Sequence, residues 1–252
     1  MKKPLTIVAL VAASLGGLQA TVLLQDNFPT NGSLVGTTPP VGGIWQTLSG
    51  TADTLVVSGN KLQIQETMDQ DAESDFPTLQ SVDLFVGFSL NMSAANLPSA
   101  GGEYFASFRT TTGYNGRLLA LRPTGTAVGK FRLGLSNNGE AAVSWASDLD
   151  PGVDYQIVVK FTQNGANDFV TLWVGPSSEA STSVSTTGAA INTNLSGFAF
   201  RQTTVSGDLA IDNLVVGTTF SEAVPEPSTW VLLGTGSVVL LWTLRRVRRI
   251  KS

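Results

Sequence analysis

The chain contains no cysteine and no histidine. Without cysteine no disulfide can staple the fold, so any domain must rest on its own apolar core. Without histidine the chain lacks the commonest general base, the usual activator of a nucleophile and the commonest transition-metal ligand. Charge is also scarce, at 13% of residues. Its distribution is uneven: residues 21–222 hold eight of the 15 basic residues but eighteen of the 19 acidic ones, a net of −10 against −4 for the whole chain. Neutralising a phosphate backbone needs a basic face, so a nucleic-acid partner is excluded. The acidic balance favours solubility outside the cell. The same residues show no amphipathic helical pattern.

What the sequence does contain is most distinctive at its two ends. The first residues are Met1-Lys2-Lys3, an apolar run over 5–18, and Gln19-Ala20. A basic start, a short apolar stretch and a small residue at the cut describe a secretory signal peptide over 1–20, with an uncleaved signal anchor as the alternative. The other end has three parts in order. Val224-Pro225-Glu226-Pro227-Ser228-Thr229 is stiff and extended, because each proline fixes its own φ and pushes its predecessor out of the helical region. From Trp230 to Leu244 no side chain is charged, and Arg245, Arg246, Arg248, Arg249 and Lys251 close the chain. A spanning helix needs roughly 20 apolar residues. The expected transmembrane helix over 229–244 is therefore short, and must thin the bilayer or let its arginines snorkel. The cations orient the C-terminus to the cytoplasm, leaving everything before Trp230 outside.

A plain anchor accounts for the apolar run and the arginines but not for a Pro-Glu-Pro directly ahead of them. That order closely resembles the PEP-CTERM sorting signal of Gram-negative bacteria that produce exopolysaccharide. The resemblance implies a substrate of an exosortase, a membrane transpeptidase-like protease that recognises Pro225, Glu226 and Pro227 and removes the apolar run and the arginines. The protein would be exported, held briefly in the inner membrane, then released to the cell surface or extracellular matrix.

Between the ends, residues 21–222 have the size of one domain. Short alternating or β-branched runs are expected as strands at 21–25, 54–57, 61–65, 82–91, 103–110, 117–122, 130–135, 141–145, 155–161, 169–174, 197–201 and 209–216. Gly59-Asn60, Asn138-Gly139 and Asn164-Gly165 fall between runs, as hairpin turns do. In 155–161 the residues Tyr155, Ile157, Val159 and Phe161 share one face, and in 130–135 Phe131, Leu133 and Leu135 do the same; those faces are expected to be core. A dozen strands at such spacing indicate an all-β, antiparallel sandwich or barrel. The segments LLQDNF, GGEYFASFR, KFRLGLS, DPGVDYQIVVKF, VTLWVGP and LAIDNLVVGTTF further resemble the concanavalin/laminin-G-like jelly-roll domains of exported PEP-CTERM proteins. That resemblance implies a sandwich whose first and last strands pair. It implies no single activity, because relatives include lectin-like modules, adhesion domains and glycanases.

Several residues are candidates for a site. Glu66, Asp69, Asp71, Glu73 and Asp75 crowd one stretch, expected as a solvated acidic loop between strands. Two sharper readings stand beside it: paired carboxylates of a polysaccharide-active hydrolase or lyase, and an oxygen-rich calcium loop. Sandwiches of the resembled kind often hold a structural calcium where first and last strands meet, which implies Asp26 and Asp212 as ligands. Trp45, Tyr114, Trp145 and Trp173 are candidate sugar-stacking aromatics. Tyr114, in Thr-Gly-Tyr-Asn-Gly, is expected on a loop and is the preferred glycan contact, whereas Trp173 is expected to be core or half-buried. Asn91 and Asn194 open glycosylation sequons that carry little weight here. The reading that results is a non-enzymatic surface or matrix protein with a structural, adhesion or glycan-binding role, whose partners are an exosortase and possible exopolysaccharide.

Overall fold

The computed structural model describes residues 21–224 apart from 80–81, 111–112, 138, 164–166, 189–193 and 205. The first strands are β1 (Val22–Asp26), β2 (Gly32–Ser33), β3 (Gln46–Ser49), β4 (Val56–Ser58) and β5 (Lys61–Ile64). Longer ones come next as β6 (Asp71–Leu79), β7 (Leu84–Met92), β8 (Glu103–Thr110), β9 (Tyr114–Leu121) and β10 (Arg132–Ser136). The rest are β11 (Val143–Ser144), β12 (Asp154–Thr162), β13 (Phe169–Val174), β14 (Val184–Ser185), β15 (Leu195–Arg201) and β16 (Leu209–Gly217), before a one-turn helix α1 (Phe220–Ala223). No described helix is long and apolar enough to cross a membrane. The signal peptide, the expected transmembrane helix, Pro225, Glu226, Pro227 and the arginines at 245, 246, 248 and 249 lie outside the described residues.

The strands form two antiparallel sheets. The nine-stranded sheet runs β14-β13-β12-β7-β16-β5-β4-β2, with β1 also paired to β16. The seven-stranded sheet runs β11-β10-β9-β8-β15-β6-β3. First and last strands do meet, Asp26 opposite Leu214 and Val22 opposite Gly217. The Gly59-Asn60 turn has φ of 61° and 57°, the mirror-image turn that matches strand twist, and it sets Ser58 against Lys61 between β4 and β5. The turns expected at 138–139 and 164–165 include residues outside the described set.

Alternation places the core between the sheets. Ile157, Val159 and Phe161 of β12 are buried there, with Tyr155 packed at its edge, and Phe131, Leu133 and Leu135 are buried opposite. Aromatic rings cross the centre: Trp45 lies 5.7 Å from Phe200, Phe200 5.4 Å from Phe198, Phe198 5.5 Å from Phe108 and Phe108 5.6 Å from Phe161. Edge-to-face pairs of this kind add to plain burial. Trp45 is fully buried and so is no sugar platform, and Trp145 packs partly buried against the same core.

The strand pattern needs one substantive correction. The stretch over 71–75 is not a loop: it opens β6, a strand paired on both sides, by β15 and β3. Its inward residues Ala72, Ser74 and Phe76 are buried, while Glu73 and Asp75 alternate away from them. Small inward residues gave the segment no apolar signature, so its carboxylates dominated the sequence pattern. β3 is hidden for a related reason, since none of its four residues is buried.

Candidate functional site

The outer face of the seven-stranded sheet carries the largest concentration of interacting polar and aromatic side chains. Period-two geometry sends Asp71, Glu73 and Asp75 of β6 outward. Register places Arg201 of β15 opposite Asp71, and Gly197 of β15 opposite both Asp75 and Arg109 of β8. Ala199 and Gly197 are the residues between the acids of β6 and the cation of β8. Their small size lets Arg109 reach across β15 to Glu73, with Nε donating to Oε2 at 2.7 Å. A Cβ on Gly197 would come within 3.1 Å of Asp75 Oδ1 and 3.0 Å of the Ser74 carbonyl.

Two tyrosines lie under the cations. The Arg109 guanidinium sits 4.4 Å from the centre of the Tyr114 ring. Tyr104 carries two, Arg201 at 4.4 Å and Arg117 at 4.8 Å. The two rings are 6.1 Å apart. Guanidinium over an aromatic face is attractive because the ring's quadrupole is negative there. Arg201 is also held by Asp71 at 3.8 Å and by Glu103 at 3.4 Å. Arg117 differs: its Nε donates to the Tyr114 carbonyl at 3.3 Å, and among the described residues it makes no ion pair. Beside the lattice an open pocket of ≈ 360 Å³ is lined by Glu73, Asp75, Phe76, Thr78, Arg109, Thr110 and Ser196.

Burial sets the protonation behaviour of this face. Loss of water pushes the Asp71 carboxyl above the usual carboxylate range, against the opposing pull of the Ser49 hydroxyl and Arg201. Asp71 Oδ2 accepts from Ser49 Oγ at 3.1 Å, whereas Oδ1 is buried without a hydrogen-bond partner. Burial likewise raises the Tyr104 phenol. Glu73, the other member of a conceivable acid pair, is bound to Arg109.

Tyr114 is not on a loop: it begins β9, opposite Arg109, and its ring already carries that guanidinium. Trp173 is buried, on the outer side of the other sheet rather than in the main core. Glu66 and Asp69 stay in the turn before β6, where Asp69 accepts the Thr51 amide at 2.9 Å and the Glu66 amide donates to Asp208 at 2.9 Å.

Asp26 and Asp212 lie on the paired strands β1 and β16, but their oxygens face donors. Asp26 Oδ2 accepts the Trp45 indole N–H at 2.8 Å, and Oδ1 accepts the Phe28 amide at 2.7 Å. That bond holds Phe28 in the left-handed region, at φ 46°, a conformation bulky residues rarely adopt. Asp212 Oδ1 accepts the following amide, of Asn213, at 2.7 Å. No three acidic side chains among the described residues could together hold a metal ion. A hard cation wants six to eight oxygens; here both Asp26 oxygens and one of Asp212 already accept N–H groups.

The residues that build the face, Tyr104, Arg109, Arg117 and Arg201, escaped sequence reasoning. Their one signal is placement: three of the few cations of residues 21–222 end or interrupt apolar strands, as in Phe-Ala-Phe-Arg201.

Residues 223–249 match the PEP-CTERM protein-sorting motif. No curated protein matches the sequence. Among solved structures, the binding domain of botulinum neurotoxin serotype D is similar at TM-score 0.50 and 11% identity, over 79% of this chain and 48% of that one. Peanut lectin gives 0.46 and 10%, covering 80% and 98%, and the exoplasmic/lumenal domain of VIP36, in a form with Ca²⁺ and Man3GlcNAc, gives 0.44 and 10%, covering 79% and 95%. At such identities only architecture is shared, and it is that of the concanavalin-like jelly roll.

Proposed function

We propose that this is an exported, exosortase-sorted sandwich protein of the cell surface or extracellular matrix, non-enzymatic, which binds glycan through the outer face of its seven-stranded sheet. The sorting part rests on the motif over 223–249. In that reading Pro225, Glu226 and Pro227 are recognised, the tail with its arginines at 245, 246, 248 and 249 is a temporary handle, and residues 1–20 are removed during export.

The ligand part is supported above all by Arg117, a guanidinium laid on Tyr104 without a carboxylate partner among the described residues. Nε is engaged by the chain, and the remaining amino groups can donate to hydroxyls or carboxylates of a sugar. Arg109 and Arg201 extend the donor row, and Asp75, exposed beside the pocket, offers an acceptor. Glycan array binding tests this. Binding that falls at least tenfold in Arg117→Ala supports the reading, and silence across a broad array leaves a purely structural role. Intact mass of the mature protein, with and without the exosortase, tests both cleavages.

One observation favours a second reading. The raised Asp71 carboxyl next to Glu73 has the chemistry of an acid paired with a carboxylate. Glycan cleavage abolished by Asp71→Asn would establish it.

A further inference from the structure

The folded domain ends in a clamp on the outer face of the nine-stranded sheet. There Phe85, Val158 and Trp173 form a small apolar cluster apart from the main core, and Ala223, Phe220 and Val224 pack on it. The Phe220 ring stands edge-on to Phe85 at 6.1 Å and to Trp173 at 5.6 Å. Thr219 caps the turn, and Glu222 Oε2 accepts the amides of Thr218 at 2.9 Å and Thr219 at 3.0 Å. A Cβ at Gly87 would overlap the Ala223 carbonyl, so only glycine lets the turn lie this close to β7. The sorting motif match begins at residue 223, inside the clamp. Domain and motif thus have no spacer between them.

Five residues lie between Val224 and Trp230, where the uncharged stretch starts. A chain rises by at most about 3.6 Å per residue, so the clamp lies within roughly 20 Å of that stretch. The other end of the domain leads to the same strand end: the Thr21 amide donates to Thr218 Oγ1 at 3.1 Å, and the Thr218 amide to the Thr21 carbonyl at 3.2 Å. Beside Val224 lies an open surface hollow of ≈ 560 Å³, lined by Ser177, Ser178, Glu179, Thr219, Phe220, Ser221 and Val224.

We infer that this hollow and its rim are the surface against which the membrane protease that reads the Pro-Glu-Pro docks. The inference rests on the sorting reading above. A folded domain tethered this tightly cannot present its opposite face to an enzyme working on residues 225–227. The protease meets a shallow apolar floor of Phe220 and Val224 with a hydroxyl and carboxylate rim, and the polar face of the seven-stranded sheet lies on the other side of the sandwich.

The test uses the full chain in cells that contain its processing protease. A photoreactive residue replacing Ser178 or Ser221 should give an adduct with the protease whose deletion leaves the tail uncut. Its yield should be at least ten times that of the same probe at Asp75, on the opposite face. Gly87→Ala, and independently Phe220→Ala, should cut the Ser178 yield at least fivefold by loosening the clamp. Equal yields on both faces, or adducts at Ser178 with lipid or a second copy alone, overturn the inference. Tail removal that persists in Glu226→Ala and after deletion of the protease would instead sink the sorting reading. Normal, protease-dependent removal without an adduct sinks only the docking surface.

Discussion

The two outer faces of this sandwich solve the same problem in opposite ways. On the nine-stranded sheet, Phe85, Val158 and Trp173 are apolar and face away from the core, so the chain brings its own end back to cover them. On the seven-stranded sheet, the outward side chains are arginines, carboxylates and tyrosines that satisfy one another across β6, β15, β8 and β9. A face covered by its own chain is spent on stability and on fixing where the tail leaves. A face closed by partly buried charge networks gains little net stability, because the Coulomb attraction is offset by lost hydration, and its outward groups remain polar. In the proposed reading, one sheet tethers and the other recognises.

Loosening the clamp gives the largest effect. Phe220→Ala removes a ring packed on Trp173 and Phe85, and burial of that size is worth about 2 kcal/mol. Gly87→Ala should cost a similar amount by forcing the turn off β7. Urea unfolding of residues 21–224 should show a lower midpoint in either variant, and glycan binding of the folded protein should be unchanged. Arg117→Ala should do the reverse, moving stability by less than about 0.5 kcal/mol. Equal destabilisation by Phe220→Ala and Arg117→Ala would erase the distinction between the faces.

Most of the fold was legible because most strands declare themselves by period two. Val86, Phe88 and Leu90 alternate inward in β7, and Ile157, Val159 and Phe161 do so in β12. The outward partners were harder to place. Trp173 reads as core or half-buried, and the return of α1 explains why it and Val158 are buried although they face away from the main core. β6 was hidden because its inward residues are small and its outward ones charged. The lattice was hidden because it is assembled from strands distant in sequence: Asp71 meets Arg201, and Tyr104 lies between Arg117 and Arg201. Tyr114 was expected on a loop, but it begins β9 and lies on the same face.

Asp71 sharpens the comparison, because it is a carboxyl on the polar face for which burial outweighs pairing. Its raised carboxyl means the folded state holds the proton more tightly than the unfolded chain. Stability therefore rises as pH falls from neutral through that raised value towards 3.8, the carboxyl's ordinary value. Asp148 has the opposite sign: the Ala127 amide first, then Arg132, lowers it, so its contribution is present above 3.8 and lost as pH falls further. Asp71→Asn should abolish the gain above 3.8 and leave the loss below it. At neutral pH the variant should be the more stable of the two. Thermal melts at several pH values for both proteins read this directly, and an unchanged slope would mean that Asp71 is solvated.

The smallest effect is expected from calcium removal, and its smallness is informative. The seam of β1 and β16, where Asp26 and Asp212 lie, ties the first strand to the last inside the clamped sheet. If a divalent ion held that seam, chelation would loosen both. Asp26 is instead committed to the Trp45 indole and the Phe28 amide, two donors that a cation would have to displace. Displacing them would leave a buried indole N–H unpaired, at a cost of about 1–3 kcal/mol. EGTA should therefore leave the melting temperature unchanged, whereas Asp26→Ala should lower it by stranding the same indole. A fall in melting temperature with EGTA that calcium restores and magnesium does not would place an ion at the seam, and make the tethered sheet depend on its surroundings as the polar face does.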